Sequence, residues 1–298
     1  MRHNVVLRRE QVLRPPESSP STELDAGVFS DLLELVRNRD TDPVSVAAPR
    51  ISVVIPALNE AANLPFVLPR IGSYVHEVLL VAGPSIDDTV GTAREHYPDI
   101  RIVAQEGSGK GCALRSGFAA ATGDIIVMLD ADCSMDPAEM PLFLGALLAG
   151  ADLAKGSRFI QGAGSNDMTF DRTLGNWGFA KLVRVLFGCR CSDLTYGYIA
   201  FWRHVLPVLR LDADGFEIDA LMNIRALRSG LKIVEVPSFE HARMNGASHL
   251  RTYADGWQML KMVLRERFSR EARSGVSVPS EDAAQPADSS AIDTPVSP

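Results

Sequence analysis

The sequence predicts an α/β protein with one open, mostly parallel β-sheet flanked by helices in a single domain. Three observations carry that prediction. Short apolar runs recur at 51–56 (ISVVIP), 77–82 (EVLLVA), 101–104 (RIVA) and 125–130 (IIVMLD), with a weaker one at 152–157 (DLAKGS). Runs apolar at nearly every position suit strands buried on both faces, as parallel strands are. Helix-forming stretches with start signals lie between them, and strand–helix–strand alternation with short links produces right-handed crossovers.

The elements follow in order. Pro56 ends the first run. Asp87 or Asp88 caps the helix TVGTAREHY, and Asp136-Pro137 opens AEMPLFLGALLAG with proline in the first turn. After about residue 160 the pattern changes. A loop, QGAGSNDMTFD, leads to a helix, RTLGNWGFAKLVRVLFG, and then an aromatic strand, YGYIAFW. A helix, EIDALMNIRALRSG, and a strand, LKIVEVP, complete the sheet and supply the far side of the site. Residues 1–48 read as a polar, Pro-interrupted extension with one short helix, STELDAGVFSDLLELVRN. The core domain is expected over 49–250, an amphipathic helix over 250–270, and a disordered tail over 274–298, which has no Lys or Arg.

Composition narrows the function. With 46% hydrophobic and 22% charged residues over 298 positions, the chain can bury a large core. A net charge of −7 argues against nucleic acid as a partner, which would require a basic face. Cys112, Cys133, Cys189 and Cys191 form no CxxC pair and read as free thiols of a reducing compartment. No run approaches the ~20 apolar residues of a bilayer span, and the N-terminal residues contain no apolar signal core. The expectation is a cytoplasmic protein whose membrane contact, if any, is peripheral, at the inner face.

In open α/β sheets ligands bind at the carboxyl ends of strands, here after Pro56, Val81, Ala104, Leu129 and Lys155. The glycine-rich stretch GSGKG (107–111) resembles a phosphate loop, but Ala104 stands where the first glycine belongs and Gly111 where the magnesium-binding hydroxyl belongs. As a dinucleotide fingerprint it fails at Cys112 and follows the third strand, not the first. It reads as a loop opening a helix. Asp130 and Asp132, one residue apart at a buried strand's end, suit one hard cation, Mg2+ or Mn2+, which takes oxygen ligands and bridges to phosphates. The chain contains its own control. Leu-Asp-Ala-Asp recurs at 211–214, where no buried strand precedes it, and there it reads as a loop before a helix.

Together these segments resemble the family 2 inverting glycosyltransferases of the GT-A fold, a Rossmann-like sheet, and most of all the dolichol- or polyprenyl-phosphate mannosyl- and glucosyltransferase branch. VVIPALNE (53–60), VAGPSIDDT (81–89), GKGCALRSGF (109–118), LDADCSMDP (129–137) and KGSRF (155–159) match its signatures in order. DLTYGYIAF (193–201) and EVPSFEHARMNGASHL (235–250) resemble its distal ones. The resemblance implies a nucleotide-sugar donor bound by Pro56, Leu58, Glu60, Lys110, Asp130, Ala131 and Asp132. It implies a metal on Asp130 and Asp132, with Asp132 the principal ligand. Asp132 and Arg158 are the catalytic pair it implies, and Arg158, Arg172, Arg243 and His249 the phosphate-holding side chains for the acceptor.

The implied reaction is a single displacement with inversion. A hydroxyl acceptor needs a general base. A phosphate acceptor is already an anion and needs cations, best of all Arg. The arginines therefore favour polyprenyl phosphate, while a soluble hydroxyl acceptor with Asp193 or Asp171 as base stays open. So do a sugar-phosphate nucleotidyltransferase and a non-catalytic nucleotide-sugar-binding protein. Three departures matter. Ala82-Gly83 replaces the branch's Asp pair, one of which contacts the base, so base identity is left open. Ser134 stands where some relatives carry a third metal ligand, and His249 where the branch often has Lys. In 250–268, Leu250, Tyr253, Trp257, Leu260 and Leu264 fall at helical spacing beside Arg251, Lys261, Arg265 and Arg267. That stripe suits either a lipid interface or packing on the domain.

Overall fold

The protein is described from a computed structural model, which covers residues 48–188, 191–246 and 252–269. The expected N-terminal helix, the tail from 274 and His249 lie outside the described residues. The strands are β1 (Ile51–Ala57), β2 (Glu77–Ala82), β3 (Arg101–Ala104), β4 (Ile125–Met128), β5 (Leu153–Ser157), β6 (Gly164–Ser165), β7 (Ile199–Trp202), β8 (Ile233–Pro237) and β9 (Phe239–Glu240). Seven of them form one sheet in the order β3-β2-β1-β4-β7-β5-β8, and β6 pairs with β9 apart from it. Within the large sheet β7 runs antiparallel to both its neighbours, β4 and β5.

Alternate residues of each inner strand feed two cores. Val53, Ile55, Val78, Leu80 and Val127 face one, and Val54, Leu79, Val81, Ile126 and Met128 face the other. This is why the runs are apolar without alternation: both faces of the sheet are covered. The helices are α1 (Leu64–Val67), α2 (Thr89–His96), α3 (Lys110–Ala120), α4 (Met140–Leu148), α5 (Phe170–Phe187), α6 (Leu206–Leu209), α7 (Ile218–Arg228) and α8 (Thr252–Phe268). Of the two candidate caps, Asp88 is the one used for α2, accepting from the Gly91 N–H at 3.0 Å. In α4, Met140, Phe143, Leu144 and Leu147 lie on one face at spacings of three and four, and all are buried in the first core.

Two sequence expectations change. β3 is the edge strand, so Arg101 and Ala104 are exposed and the run is not buried on both sides. The fourth strand stops at Met128; the Leu129 N–H still donates to the Val54 carbonyl of β1 at 3.1 Å, and Asp130 opens the turn that follows. In α8, Met259, Met262, Val263 and Glu266 pack inward. Of the stripe residues, Trp257 and Leu264 face solvent. Among the described residues no helix is long and apolar enough to cross a membrane, and Cys112 and Cys133 are free thiols.

Candidate functional site

The parallel register aligns Ala57, Ala82 and Ala104 in one row at the carboxyl edge of β1, β2 and β3. The next residues, Leu58, Gly83 and Gln105, open the site. Leu58 is partly exposed there, and Pro56 is half-buried beneath it. Asn59 takes a positive φ of 58°, and its Oδ1 accepts from the Ile86 N–H at 2.8 Å. The Glu60 N–H donates to Thr89 Oγ1 at 3.0 Å, and the Ala61 N–H to Asp87 Oδ2 at 3.0 Å. These bonds lock the turn after β1 to the turn after β2. Burial pushes the Glu60 carboxyl upward, and the charges of Asp132 and Asp130 add to that against its bond from Asn63. Glu60 therefore looks onto the acidic pair.

The turn after β4 carries that pair. Asp132 Oδ1 accepts from the Ser134 N–H at 3.0 Å and the Ser134 hydroxyl at 2.6 Å, and its Oδ2 meets the Arg243 guanidinium at 2.8 Å. Ser134 thus orients Asp132. Cys133 sits in the left-handed region (φ 66°), which bends the chain tightly between the two. Ala131 is buried in the first core, so its side chain does not reach the cleft. Asp130 meets Lys110 Nζ at 3.0 Å. Burial raises the Asp130 carboxyl, with Asp132 and Asp219 adding to the effect against Lys110.

This donor set fits a hard divalent ion. Two carboxylates on one turn each hold a cationic side chain where a metal's charge would sit. Among the described residues no group of three His, Cys, Asp or Glu side chains forms a cage. Such an ion would complete its shell with water and substrate phosphates, as Mg2+ does when bound by one or two carboxylates.

Lys110 is the first residue of α3, and it reaches the site by a different route from a phosphate loop. Its Nζ also meets Asp219 Oδ2 at 3.2 Å. Burial works against its charge, but the two carboxylates prevail and keep it protonated. The glycines beside it serve packing. A Cβ at Gly111 would lie 2.1 Å from the Ala213 carbonyl oxygen, and one at Gly109 would lie 2.2 Å from that of Asp214. The Gly111 N–H donates to the Asp214 carbonyl at 2.8 Å. The second Leu-Asp-Ala-Asp segment is therefore the loop seated on the start of α3. Gly111→Ala is expected to push that loop away and cost about 1–3 kcal/mol, as overpacking does; urea unfolding at neutral pH measures it, and an unchanged midpoint would refute the packing role.

The arginines divide. Arg158, expected beside a phosphate, is buried between two carboxylates. Its Nε and Nη2 donate to Asp193 at 2.7 and 2.9 Å, its Nη1 to both oxygens of Glu240 at 3.0 and 3.1 Å, and Nη2 also to Thr195 Oγ1 at 3.0 Å. It stacks 4.8 Å from the Tyr196 ring centroid. All its donor directions are engaged, so it shapes the cleft wall and holds no free N–H for a phosphate. Burial would raise the Asp193 carboxyl, but Arg158 holds it below the usual range; the carboxylate is fully buried with both oxygens bound by Arg158, so it presents no oxygen to an acceptor hydroxyl. Arg243 and Arg172 remain partly exposed. Arg243 Nε lies 3.2 Å from Asp167, and Arg172 Nη1 lies 3.9 Å from the same carboxylate.

One cleft collects Lys110, Asp130, Arg172, Asp219 and Arg243, with Asp171 at its α5 wall. Asp219 and Glu217 escaped sequence reasoning because EIDALMNIRALRSG reads only as a helix. Asp219 Oδ1 and Glu217 Oε2 are buried without a hydrogen-bond partner among the described residues. Both α5 and α8 contribute to the cleft wall. These two helices also expose Phe170, Leu174 and Trp177 on one and Trp257, Leu264 and Phe268 on the other. Lys181 lies 4.9 Å from the Trp177 ring, and Lys261 lies 5.6 Å from that of Trp257.

A mostly parallel sheet with an acidic turn after its fourth strand and a cleft at its carboxyl edge defines the GT-A class. The family model for glycosyl transferase family 2 matches residues 52–209, and the chain belongs to that family. It is 31% identical over 211 residues to a dolichol-phosphate mannosyltransferase of Pyrococcus furiosus, covering 68% of this chain and 59% of that one. It is 33% identical to a polyprenol monophosphomannose synthase of Mycolicibacterium smegmatis, covering 70% and 84%. It is also 30% identical to the low-salt glycan biosynthesis hexosyltransferase Agl6 of Haloferax volcanii, but spans only 56% of that protein's length. Among solved structures, glucosyl-3-phosphoglycerate synthase of Mycobacterium tuberculosis, in complex with Mn2+, UDP-glucose and phosphoglyceric acid, aligns with a TM-score of 0.60 at 27% identity. That alignment covers 74% of this chain and 80% of the other.

Proposed function

We propose that the protein is a metal-dependent inverting glycosyltransferase that moves a hexose from a UDP- or GDP-linked donor to polyprenyl phosphate. The observation that carries this reading is the gathering of the acidic turn and two partly exposed arginines at one cleft. Asp130, Arg172 and Arg243 line that cleft, and Asp132 meets Arg243 at 2.8 Å beside it. Mg2+ or Mn2+, held by Asp130 and Asp132, would supply charge neutralisation for the departing diphosphate. Arg243 and Arg172 hold the acceptor phosphate. An acceptor oxygen forms the new bond to the sugar's anomeric carbon as the bond to the nucleoside diphosphate breaks, and the phosphate gives up no proton that would need a base. The burial of Asp193 against Arg158, away from any acceptor hydroxyl, fits this chemistry. The mannosyl- and hexosyltransferases among the relatives support the donor class, and the Mn2+ complex of the structural neighbour supports the ion.

The acceptor's lipid tail gives the exposed aromatics of α5 and α8 a purpose. They flank the cleft, and each tryptophan carries a lysine over its ring, a pairing suited to a membrane–water interface. The protein then works as a peripheral protein at the inner membrane face. Flotation with anionic vesicles is expected to carry the protein upward, and the double substitution Trp177→Ser/Trp257→Ser to leave it at the bottom. Equal flotation of the two would remove this docking face.

A second reading, a soluble phosphorylated acceptor, has support from the phosphoglyceric acid bound by the structural neighbour. Incubation with UDP-glucose or GDP-mannose, Mn2+, and either polyprenyl phosphate or 3-phosphoglycerate decides between them. Nucleoside diphosphate and glycolipid together support the first reading, and a glycosylated phosphoglycerate the second. Pyrophosphate release from a nucleoside triphosphate would instead make the protein a nucleotidyltransferase, and absence of turnover with every pair a binding protein.

A further inference from the structure

We infer that Gln105 reads the nucleotide base, in place of the carboxylate absent at Gly83; this inference rests on the nucleotide-sugar reading above. Gly83 and Gln105 are neighbours at the carboxyl edge of the sheet, one following β2 and the other β3. The Gln105 N–H donates to the Ala82 carbonyl at 3.2 Å, and the Gly83 N–H to that of Ala57 at 2.9 Å. A Cβ built on Gly83 would lie 3.1 Å from Gln105 Oε1, 3.1 Å from Leu58 Cδ1 and 3.4 Å from the Ala57 carbonyl. The carboxamide oxygen of Gln105 thus occupies the space into which a side chain at position 83 would extend. It lies beside the partly exposed Leu58, an apolar surface on which a planar base can rest.

The orientation of the carboxamide follows from its partners. Gln105 Nε2 donates to the carbonyl oxygens of Gly107 and Gly109, at 3.3 and 3.1 Å. A flipped amide would set an oxygen against two oxygens, so the NH2 end must face the loop. Oε1 accepts no hydrogen bond from any described residue, and Gln105 is only half-buried. The group presented to the site is therefore a fixed, neutral acceptor. Its complement is a ring N–H of the lactam type, N3–H of uracil or N1–H of guanine. A carboxylate at position 83 would offer the same acceptor with a charge. Here the charge is gone and the acceptor is kept. The same side chain also ties base recognition to the loop that delivers Lys110, because its NH2 holds that loop's carbonyls.

The test measures dissociation constants by calorimetry on the full chain with Mn2+, for UDP, GDP, N3-methyl-UDP and N1-methyl-GDP. For whichever parent nucleotide binds, ring methylation is expected to weaken binding by roughly tenfold or more, the scale of leaving a polar partner unsatisfied. In Gln105→Ala the parent-to-methyl ratio should collapse toward one, and in Gly83→Asp/Gln105→Ala it should return. Taking the ratio within each protein cancels any general loosening of the loop. Tight binding that is blind to methylation in the parent protein would overturn the inference alone, as would a ratio that survives Gln105→Ala. Failure of both UDP and GDP to bind would overturn it together with the nucleotide-sugar reading.

Discussion

Asp132→Asn is expected to lower turnover by ~10²-fold or more, the scale of losing one key electrostatic stabiliser. The substitution is close to isosteric. Asn Oδ1 can still accept from the Ser134 N–H and hydroxyl, which hold Asp132 Oδ1 at 3.0 and 2.6 Å. What disappears is the negative charge at Oδ2, where Arg243 now sits at 2.8 Å. The fold should survive while the affinity for Mn2+, followed by electron paramagnetic resonance without any substrate, falls with activity. The second Leu-Asp-Ala-Asp segment supplies the control. Asp214 is 69% exposed at its side chain and pairs with Arg115 away from the acidic turn. Asp214→Asn should leave turnover near that of the parent, since exposed pairs contribute little. Equal turnover in Asp132→Asn and Asp214→Asn would refute the donor-side role of the acidic pair.

Arg158→Met is expected to act on stability first. Arg158 bridges Asp193 and Glu240 across a wall of the cleft, and all three side chains are buried or nearly so. Removing the cation strands two carboxylates in an apolar setting, a change that typically costs about 3–5 kcal/mol. For a domain of this size that lowers the melting temperature on the order of 10 °C. Lysine should not restore it, because one ammonium cannot match a planar fork that spans two carboxylates. The pattern separates this residue from Asp132: Arg158→Met loses stability and activity together, Asp132→Asn activity alone. A melting temperature unchanged in Arg158→Met would mean that the bridge is not holding the wall.

The contrast between these residues shows what was legible in the sequence. The inner strands were visible because burial on both faces leaves an unbroken apolar run, as in Val53, Val54 and Ile55. The antiparallel direction of β7 was not, since IAFW is equally apolar in either direction. Asp130 and Asp132 were readable from their place at a buried strand's end. The long-range pairs around them were not: Asp219 lies 109 positions from Lys110, and Glu240 lies 82 from Arg158, and only the fold brings them together. The glycines at 109 and 111 suggested a nearby nucleotide, yet the chain that approaches them is the loop at 213–214. Glycine records that something comes close without recording what. The helix over 252–268 was ambiguous between packing and interface because it has an apolar buried side and exposed aromatics on the other. Met259, Met262 and Val263 turn inward while Trp257 and Phe268 turn outward.

The central claim is transfer to a phosphate that needs cations and no base. It is tested most directly by comparing polyprenyl phosphate with the free polyprenol of equal chain length, under the same donor and Mn2+. Glycolipid is expected from the phosphate and none from the alcohol, with Arg243→Gln abolishing most of the difference by lowering the first. Comparable glycosylation of the alcohol would contradict it, because the cleft would then have to contain a general base in place of a phosphate clamp.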